Sequence, residues 1–183
     1  MAKRLFVAID VPDSIQNILV ALDPHIRGVR WIDSNQMHLT LGFFDRVPED
    51  VELRLREKLG VIEFKTFFLP VVGLGKFPNK GRPKVLWIGV GGGHPHLFQL
   101  YKCVQDAAFQ CGLEPELRSF HPHVTIARCR DVPEGVLRKF LKTNIDLDMG
   151  IFRVDSFHLY SSELTPAGPI HTRELTVSCS RGC

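Results

Sequence analysis

Residues 120–130 read Phe-His-Pro-His-Val-Thr-Ile-Ala-Arg-Cys-Arg, and their core, His123-Val124-Thr125-Ile126, restates an earlier stretch, His38-Leu39-Thr40-Leu41. In both copies apolar or β-branched residues alternate with polar ones, the pattern of a half-buried strand. Residues i and i+2 of a strand point the same way. Each copy therefore presents one imidazole and one hydroxyl on a single face and turns Leu39 or Val124 to the other. Two such strands facing each other would make a pocket with two imidazoles, two hydroxyls and no carboxylate.

Working outward, the chain repeats itself around these motifs. In the first half, residues 4–11 are expected to form a strand, and Pro12 opens a helix whose apolar positions Ile15, Ile18, Leu19, Leu22 and Ile26 run to Gly28. A short strand at 29–32 and a turn at Asp33, Ser34 and Asn35 lead into the His38 strand. After 45–47, Pro48 opens a helix with Val51, Leu55 and Leu59 as its buried stripe and Glu52, Arg54, Arg56, Glu57 and Lys58 as its solvated face. Residues 64–74 return as a strand.

The second half follows the same scheme. A strand at 85–90 precedes a helix with Leu97, Leu100, Val104, Ala107 and Cys111 on one face and Gly112 as its stop. A short segment at 116–119, the His123 strand, and a helix opened by Pro133 through Leu137 and Leu141 come next. Strands are expected at 151–159 and, after the turn at Pro166, Gly168 and Pro169, at 170–179. Both the histidines (38 and 123) and the helix-opening prolines (48 and 133) are 85 positions apart. That period is too long for a solenoid and suits two related lobes. One bilobed domain is expected, with sequence halves of roughly 1–75 and 84–183 joined by the basic, turn-rich segment 76–84. The imidazoles would meet in the cleft between lobes.

Bulk properties set the bounds. A net charge of +3 and a pI near 8.7 permit a polyanionic ligand without requiring one. No long apolar signal or membrane segment is evident. Five cysteines, odd in number and without Cys-x-x-Cys, suggest neither a disulfide framework nor a thiolate zinc site, so a soluble cytoplasmic protein with reduced thiols is expected.

Near neutrality one of two histidines can be neutral while the other is protonated. An in-line displacement at phosphorus needs one proton removed from the attacking oxygen and another delivered to the leaving oxygen, which facing imidazoles can do without a metal. Threonine hydroxyls two residues on can donate to the non-bridging oxygens. Arg128 is a further anion clamp, but its strand parity is off by one, so a bend or bulge must bring it in. Other chemistries are less complete. Cys129 and Ser119 lack a recognisable triad partner. The pairs His94-Pro-His96 and His121-Pro-His123 have zinc-compatible spacing, but nothing in the first half completes a shell.

The chain also resembles the two-histidine phosphoesterases, and specifically the RNA 2',3'-cyclic phosphodiesterase (2'-5' RNA ligase) family. The likeness rests on Arg4-Leu-Phe-Val-Ala-Ile-Asp, Arg30-Trp31, His38-Leu-Thr-Leu-Gly-Phe, Gly75-Lys-Phe-Pro, Val85-Leu-Trp-Ile-Gly, Pro122-His-Val-Thr-Ile-Ala-Arg, Ser162-Glu-Leu and Gly168-Pro169. The resemblance implies an α+β fold of two antiparallel sheets flanked by helices about a central cleft. It implies His38 as proton donor, His123 as proton acceptor, Thr40 and Thr125 on the phosphate, and no metal or other cofactor. The implied substrate is RNA ending in a 2',3'-cyclic phosphate, opened to a 2'-phosphomonoester, with 2'-5' ligation as the reverse. A monomer with no protein or membrane partner is expected. The family usually reads Phe-Leu-Gly where this chain has Phe43-Phe44-Asp45, and an aromatic where it has His171. Asp45 would add negative charge at the cleft rim. Lys76, Lys80, Arg82 and Lys84 are candidate contacts to the polynucleotide. Two other functions fit the same pocket: an RNA-end-binding module without turnover, and a phosphodiesterase for another small cyclic nucleotide.

Overall fold

The computed structural model describes residues 2–114, 116–166 and 168–180. The first half supplies β1 (Lys3–Asp10), α1 (Asp13–Ala21), β2 (Val29–Trp31), a 3₁₀ turn (Ser34–Gln36), β3 (His38–Val47), α2 (Glu49–Gly60) and β4 (Phe67–Phe77). The second supplies β5 (Val85–Val90), α3 (Pro95–Gln110), β6 (His123–Cys129), α4 (Glu134–Thr143), β7 (Asp148–Val154), β8 (Ser156–Thr165) and β9 (Gly168–Ser178). The fold is α+β, as expected.

All strand pairings are antiparallel, in the order β7, β4, β5, β6, β3, β1, β8, β9, with β2 also paired to β6. The two expected sheets are four-stranded halves of this path, joined where β3 meets β6 at one register pair, Leu39 opposite Val124. The duplication is visible in the order: β3 and β6 occupy the centre, backed by β1 and β5. The lobes nevertheless exchange strands. β4, from the first sequence half, pairs with β5, while β8 and β9 return to lie beside β1.

Leu39 and Val124 are fully buried, in the same core cluster as Leu19 of α1, Leu55 of α2, Leu100 of α3 and Leu137 of α4. Burying each such side chain contributes about 1.5–3 kcal/mol. The helices thus back the sheet, and the strand alternation sends the motif histidines and threonines to the opposite side.

Several local expectations are corrected. α1 ends at Ala21 rather than running to Gly28, because Pro24 lacks an amide donor and disfavours helical backbone at Asp23. Leu22 and Ile26 still pack against the core from the loop. Residues 45–47 continue β3, and β4 starts at Phe67 and takes in Lys76 and Phe77. Residues 116–119 form no strand; there Glu116 instead binds the Arg118 guanidinium through two hydrogen bonds. The run 151–159 is two strands broken at Asp155, one pairing with β4 and the other with β1. Both parts are apolar, so composition alone could not show that the chain changes lobes there.

Glu52, expected on a solvated face, is 3% exposed. Its carboxylate accepts from Lys3 Nζ (3.2 Å) and from Arg56 Nε (3.1 Å) and Nη2 (2.5 Å). Arg56 also reaches Glu174 of β9 at 2.6 Å, and the Ser161 hydroxyl donates to the same carboxylate at 2.7 Å. α2 is thereby tied to β1 and β9 of one half-sheet. A Lys or Arg three or four residues along a helix is ordinarily a surface partner, which is why the burial was not legible.

No described helix is long and apolar enough to cross a membrane. Glu52→Ala leaves two cations facing a buried gap. Because Lys3 and Arg56 keep partial solvent access, the expected cost is about 2 kcal/mol, read as a fall of roughly 5 °C in Tm.

Candidate active site

The cleft between β3 and β6 has a volume of about 340 Å³ and is lined by His38, Thr40, His123, Thr125 and Arg128 together. All five site residues expected from sequence therefore meet in one place. β3 and β1 form one wall, β6 and β2 the other, and the β8–β9 hairpin contributes Ser162, Leu164, Pro169 and His171. Gln36 holds that hairpin by donating from Nε2 to the Pro169 carbonyl at 3.4 Å.

The bulge that Arg128 requires is present. Leu86 faces Ala127 and Trp87 faces Thr125, so Ile126 is an extra residue on β6. After it the parity changes, and Arg128 turns into the cleft. β3 carries the same bulge at the equivalent place: Val7 faces Gly42, Ala8 faces Thr40, and Leu41 is the extra residue. The residue delivered to the cleft there is Phe43, 57% exposed. Phe43 is thus the symmetry counterpart of Arg128. Both displaced carbonyls are satisfied, Leu41 by Gln105 Nε2 (2.8 Å) and Ile126 by the Ile32 amide (2.9 Å). A side chain at Gly42 would collide with Phe44 and Gln105, which keeps that position small.

The two imidazoles have different surroundings. His38 stacks on Phe6 at 4.7 Å between ring centres, and Phe6 stacks in turn on Tyr160 at 5.1 Å. Burial pushes its pKa down to about 4, with the neighbouring His171 adding to the effect and Asp10, opposite it on β1, opposing it. Asp10 is itself held by the Tyr160 hydroxyl (2.7 Å) and Arg173 Nη2 (2.5 Å). His123 lies edge-on to Phe77 at 5.1 Å. Its Nδ1 is 2.6 Å from the His121 carbonyl. A carbonyl can only accept, so Nδ1 carries the hydrogen and Nε2 presents a lone pair. Burial also lowers the His123 pKa, against that hydrogen bond.

Phe6, Arg30, Phe43 and His171 line the cleft but were not picked out as site residues from the sequence. The 85-residue offset between Phe43 and Arg128 is the signal that could have found Phe43. His171 touches both Phe6 (4.8 Å) and His38 (5.8 Å) edge-on, and its Nδ1 is buried without a hydrogen-bond partner. Asp45 does not line the cleft; it pairs with Arg4, which does, at 3.1 Å. Lys76 is a loop brace rather than a free cation. Its ammonium donates to the carbonyls of Pro78, Asn79 and Gly81 and pairs with Glu134. Lys80, Arg82 and Lys84 are exposed. His94 and His96 pack on Phe67, and among the described residues no three His, Cys, Asp or Glu side chains converge on a common point.

A family model described as LigT like Phosphoesterase matches the chain twice, over residues 9–87 and 88–171. The two matches begin at structurally equivalent residues: Ile9 faces Leu39, and Ile88 faces Val124. The chain is 38% identical over 146 residues to a protein of Aeropyrum pernix named RNA 2',3'-cyclic phosphodiesterase, covering 78% of this chain and 82% of that one. A protein of the same name from Archaeoglobus fulgidus is 35% identical over 175 residues, covering 92% and 96%. Among solved structures, E. coli LigT complexed with 3'-AMP superposes with a TM-score of 0.82 at 25% identity, over 99% of this chain and all of the other.

An imidazole whose folded pKa lies below its unfolded value supports stability above about pH 6.5. That support is lost as the pH falls toward about 4. An anion between the rings reverses the cause by favouring their protonated forms. Sulfate keeps its charge across this range. Its stabilisation, measured as the rise in Tm, should be clearly larger at about pH 5.5 than at about pH 8; equal rises at both would mean that the imidazoles do not face the bound anion.

Proposed function

Because this chain belongs to the LigT-like phosphoesterase family, we propose that its cleft hydrolyses RNA 2',3'-cyclic phosphodiester ends to 2'-phosphomonoesters. The observation that carries this reading is the convergence of His38, Thr40, His123 and Thr125 on one cleft from the two copies of the motif.

With the cyclic phosphate between the rings, water attacks phosphorus on the His123 side. Nε2 of His123 takes the proton of the attacking water, for which its tautomer is already set. The bond from phosphorus to O3' breaks as the new one forms, and His38 delivers a proton to O3'. The 2'-phosphomonoester is left, with His123 protonated and His38 neutral; solvent exchange restores both. In the free protein His38 resists protonation. The phosphodiester's negative charge raises its proton affinity, so the acid is armed by substrate. Thr40, Thr125 and Arg128 hold the non-bridging oxygens, whose charge persists throughout the displacement.

The imidazoles perform all the proton transfers, so the reading needs no metal or other cofactor. A 5'-hydroxyl in place of the water would form a 2'-5' linkage by the same steps. The proposed setting is a monomer acting on single-stranded RNA ends in a reducing cytoplasm, consistent with four described cysteines that are all free.

RNA ending in a 2',3'-cyclic phosphate should yield the 2'-phosphate product at an undiminished rate in EDTA. His38→Ala and His123→Ala should each lower kcat/KM by about a thousandfold with little change in Tm. Thr40→Val and Thr125→Val should each cost about tenfold. Loss of turnover on chelation would point to metal chemistry. Tight binding without product would make the protein an end-binding module instead.

A further inference from the structure

Arg30 stands directly opposite Arg128 in the β2–β6 ladder. Both are exposed, and both line the cleft. Like charges at facing ladder positions repel, and such an arrangement is unfavourable unless an anion lies between or beside them. Three other arginines in or against the sheet are neutralised, Arg4 by Asp45, Arg56 by Glu52 and Glu174, and Arg173 by Asp10, while Arg153 of β7 donates to the Thr66 hydroxyl. Among the described residues neither Arg30 nor Arg128 has such a partner. Asp33, the one acidic residue lining the cleft, forms no ion pair with either.

One guanidinium is accounted for. The cyclic phosphodiester carries a single negative charge, and Arg128 with the protonated His38 meets it. Arg30 is then a surplus cation held in a fixed place. Its strand is anchored by the Trp31 indole, which donates to the Leu19 carbonyl at 2.9 Å. Its guanidinium reaches across to the start of β9, with Nη2 3.8 Å from where a Cβ on Gly168 would lie. Gly168 has a φ of +133°, a conformation that disfavours any side chain there and so keeps this approach open.

We propose that Arg30 holds the internucleotide phosphate immediately 5' to the terminal nucleotide, so that the site reads the end of an RNA strand rather than a free cyclic nucleotide. This rests on the reading given under Proposed function. A planar guanidinium matches two oxygens of a phosphodiester, and such backbone contacts set position on a nucleic acid without reading its bases. Two phosphate sites on neighbouring strands would fix the terminal nucleotide at both ends, with the reacting phosphorus held at the imidazoles.

The test compares kcat/KM for a nucleoside 2',3'-cyclic phosphate and for a dinucleotide with the same 3' end and one internal phosphodiester. Arg30→Gln should lower the dinucleotide value about tenfold or more and the mononucleotide value far less, so that the ratio between them collapses. Arg30→Lys should recover part of it. Replacing the internal linkage by a neutral methylphosphonate should bring the native enzyme down to the Arg30→Gln level and leave that variant unaffected. Equal losses on both substrates would place Arg30 at the reacting phosphate, and no loss on either would make it a solvated charge; each overturns the proposal. If the native protein turns over neither substrate, the hydrolytic reading fails separately. Affinities for the corresponding 2'-phosphates then decide the role of Arg30: weakening confined to the dinucleotide supports it, and any other pattern overturns it.

Discussion

The seam between Leu39 and Val124 is the constraint on which the rest of the molecule depends. At this one pair the two halves of the sheet join, and both side chains are driven into the core. A strand cannot bury residue i without turning i−1 and i+1 to the other face. Burying Leu39 thus commits His38 and Thr40 to the cleft, and burying Val124 commits His123 and Thr125. A one-residue slip at the seam would turn one of the two sets away from the cleft. The hydrophobic effect, acting on residues that take no part in the chemistry, is what brings four polar side chains onto one site.

The cleft is built to be unsatisfied until an anion arrives. Burial keeps the imidazoles neutral, most strongly for His38 in its stack with Phe6 and Tyr160. Arg30 and Arg128 face each other, and among the described residues neither forms an ion pair. On the proposed reading each feature is offset when RNA binds: the imidazoles and Arg128 meet the reacting phosphate, whose charge persists during displacement, and Arg30 meets the phosphate beside it. Compensation lies outside the cleft, in the Glu52–Arg56–Glu174 network and in an Asp10 held by Tyr160 and Arg173. These groups stiffen the wall that carries His38 without entering the site.

Much of this was legible in the residues because the signals were local. The alternation around His38 and His123, the prolines that open α1, α2 and α4, and the 85-residue offset each report on a few consecutive positions. The twin bulges were half legible: Arg128 on the wrong parity demanded one, and the repeat could have carried the inference to Phe43. What was hidden depends on partners distant in sequence. Glu52 is buried because Lys3 and Glu174 complete a network that no helical pattern reveals. The break at Asp155 marks a change of lobe inside one apolar run. Lys76 looked like part of a basic surface, but the carbonyls of its own loop claim its ammonium. Arg30 acquires meaning only from the register that sets it against Arg128.

The claim that one phosphorus atom is flanked by both imidazoles is tested most directly by a crystal structure with a nucleoside vanadate, which imitates the five-coordinate state of the displacement. The vanadium should lie between the motif strands, with a His38 ring nitrogen within hydrogen-bond reach of the apical O3' and His123 Nε2 within reach of the opposite apical oxygen. Vanadium bound elsewhere, or both rings on the same side of it, would contradict the account.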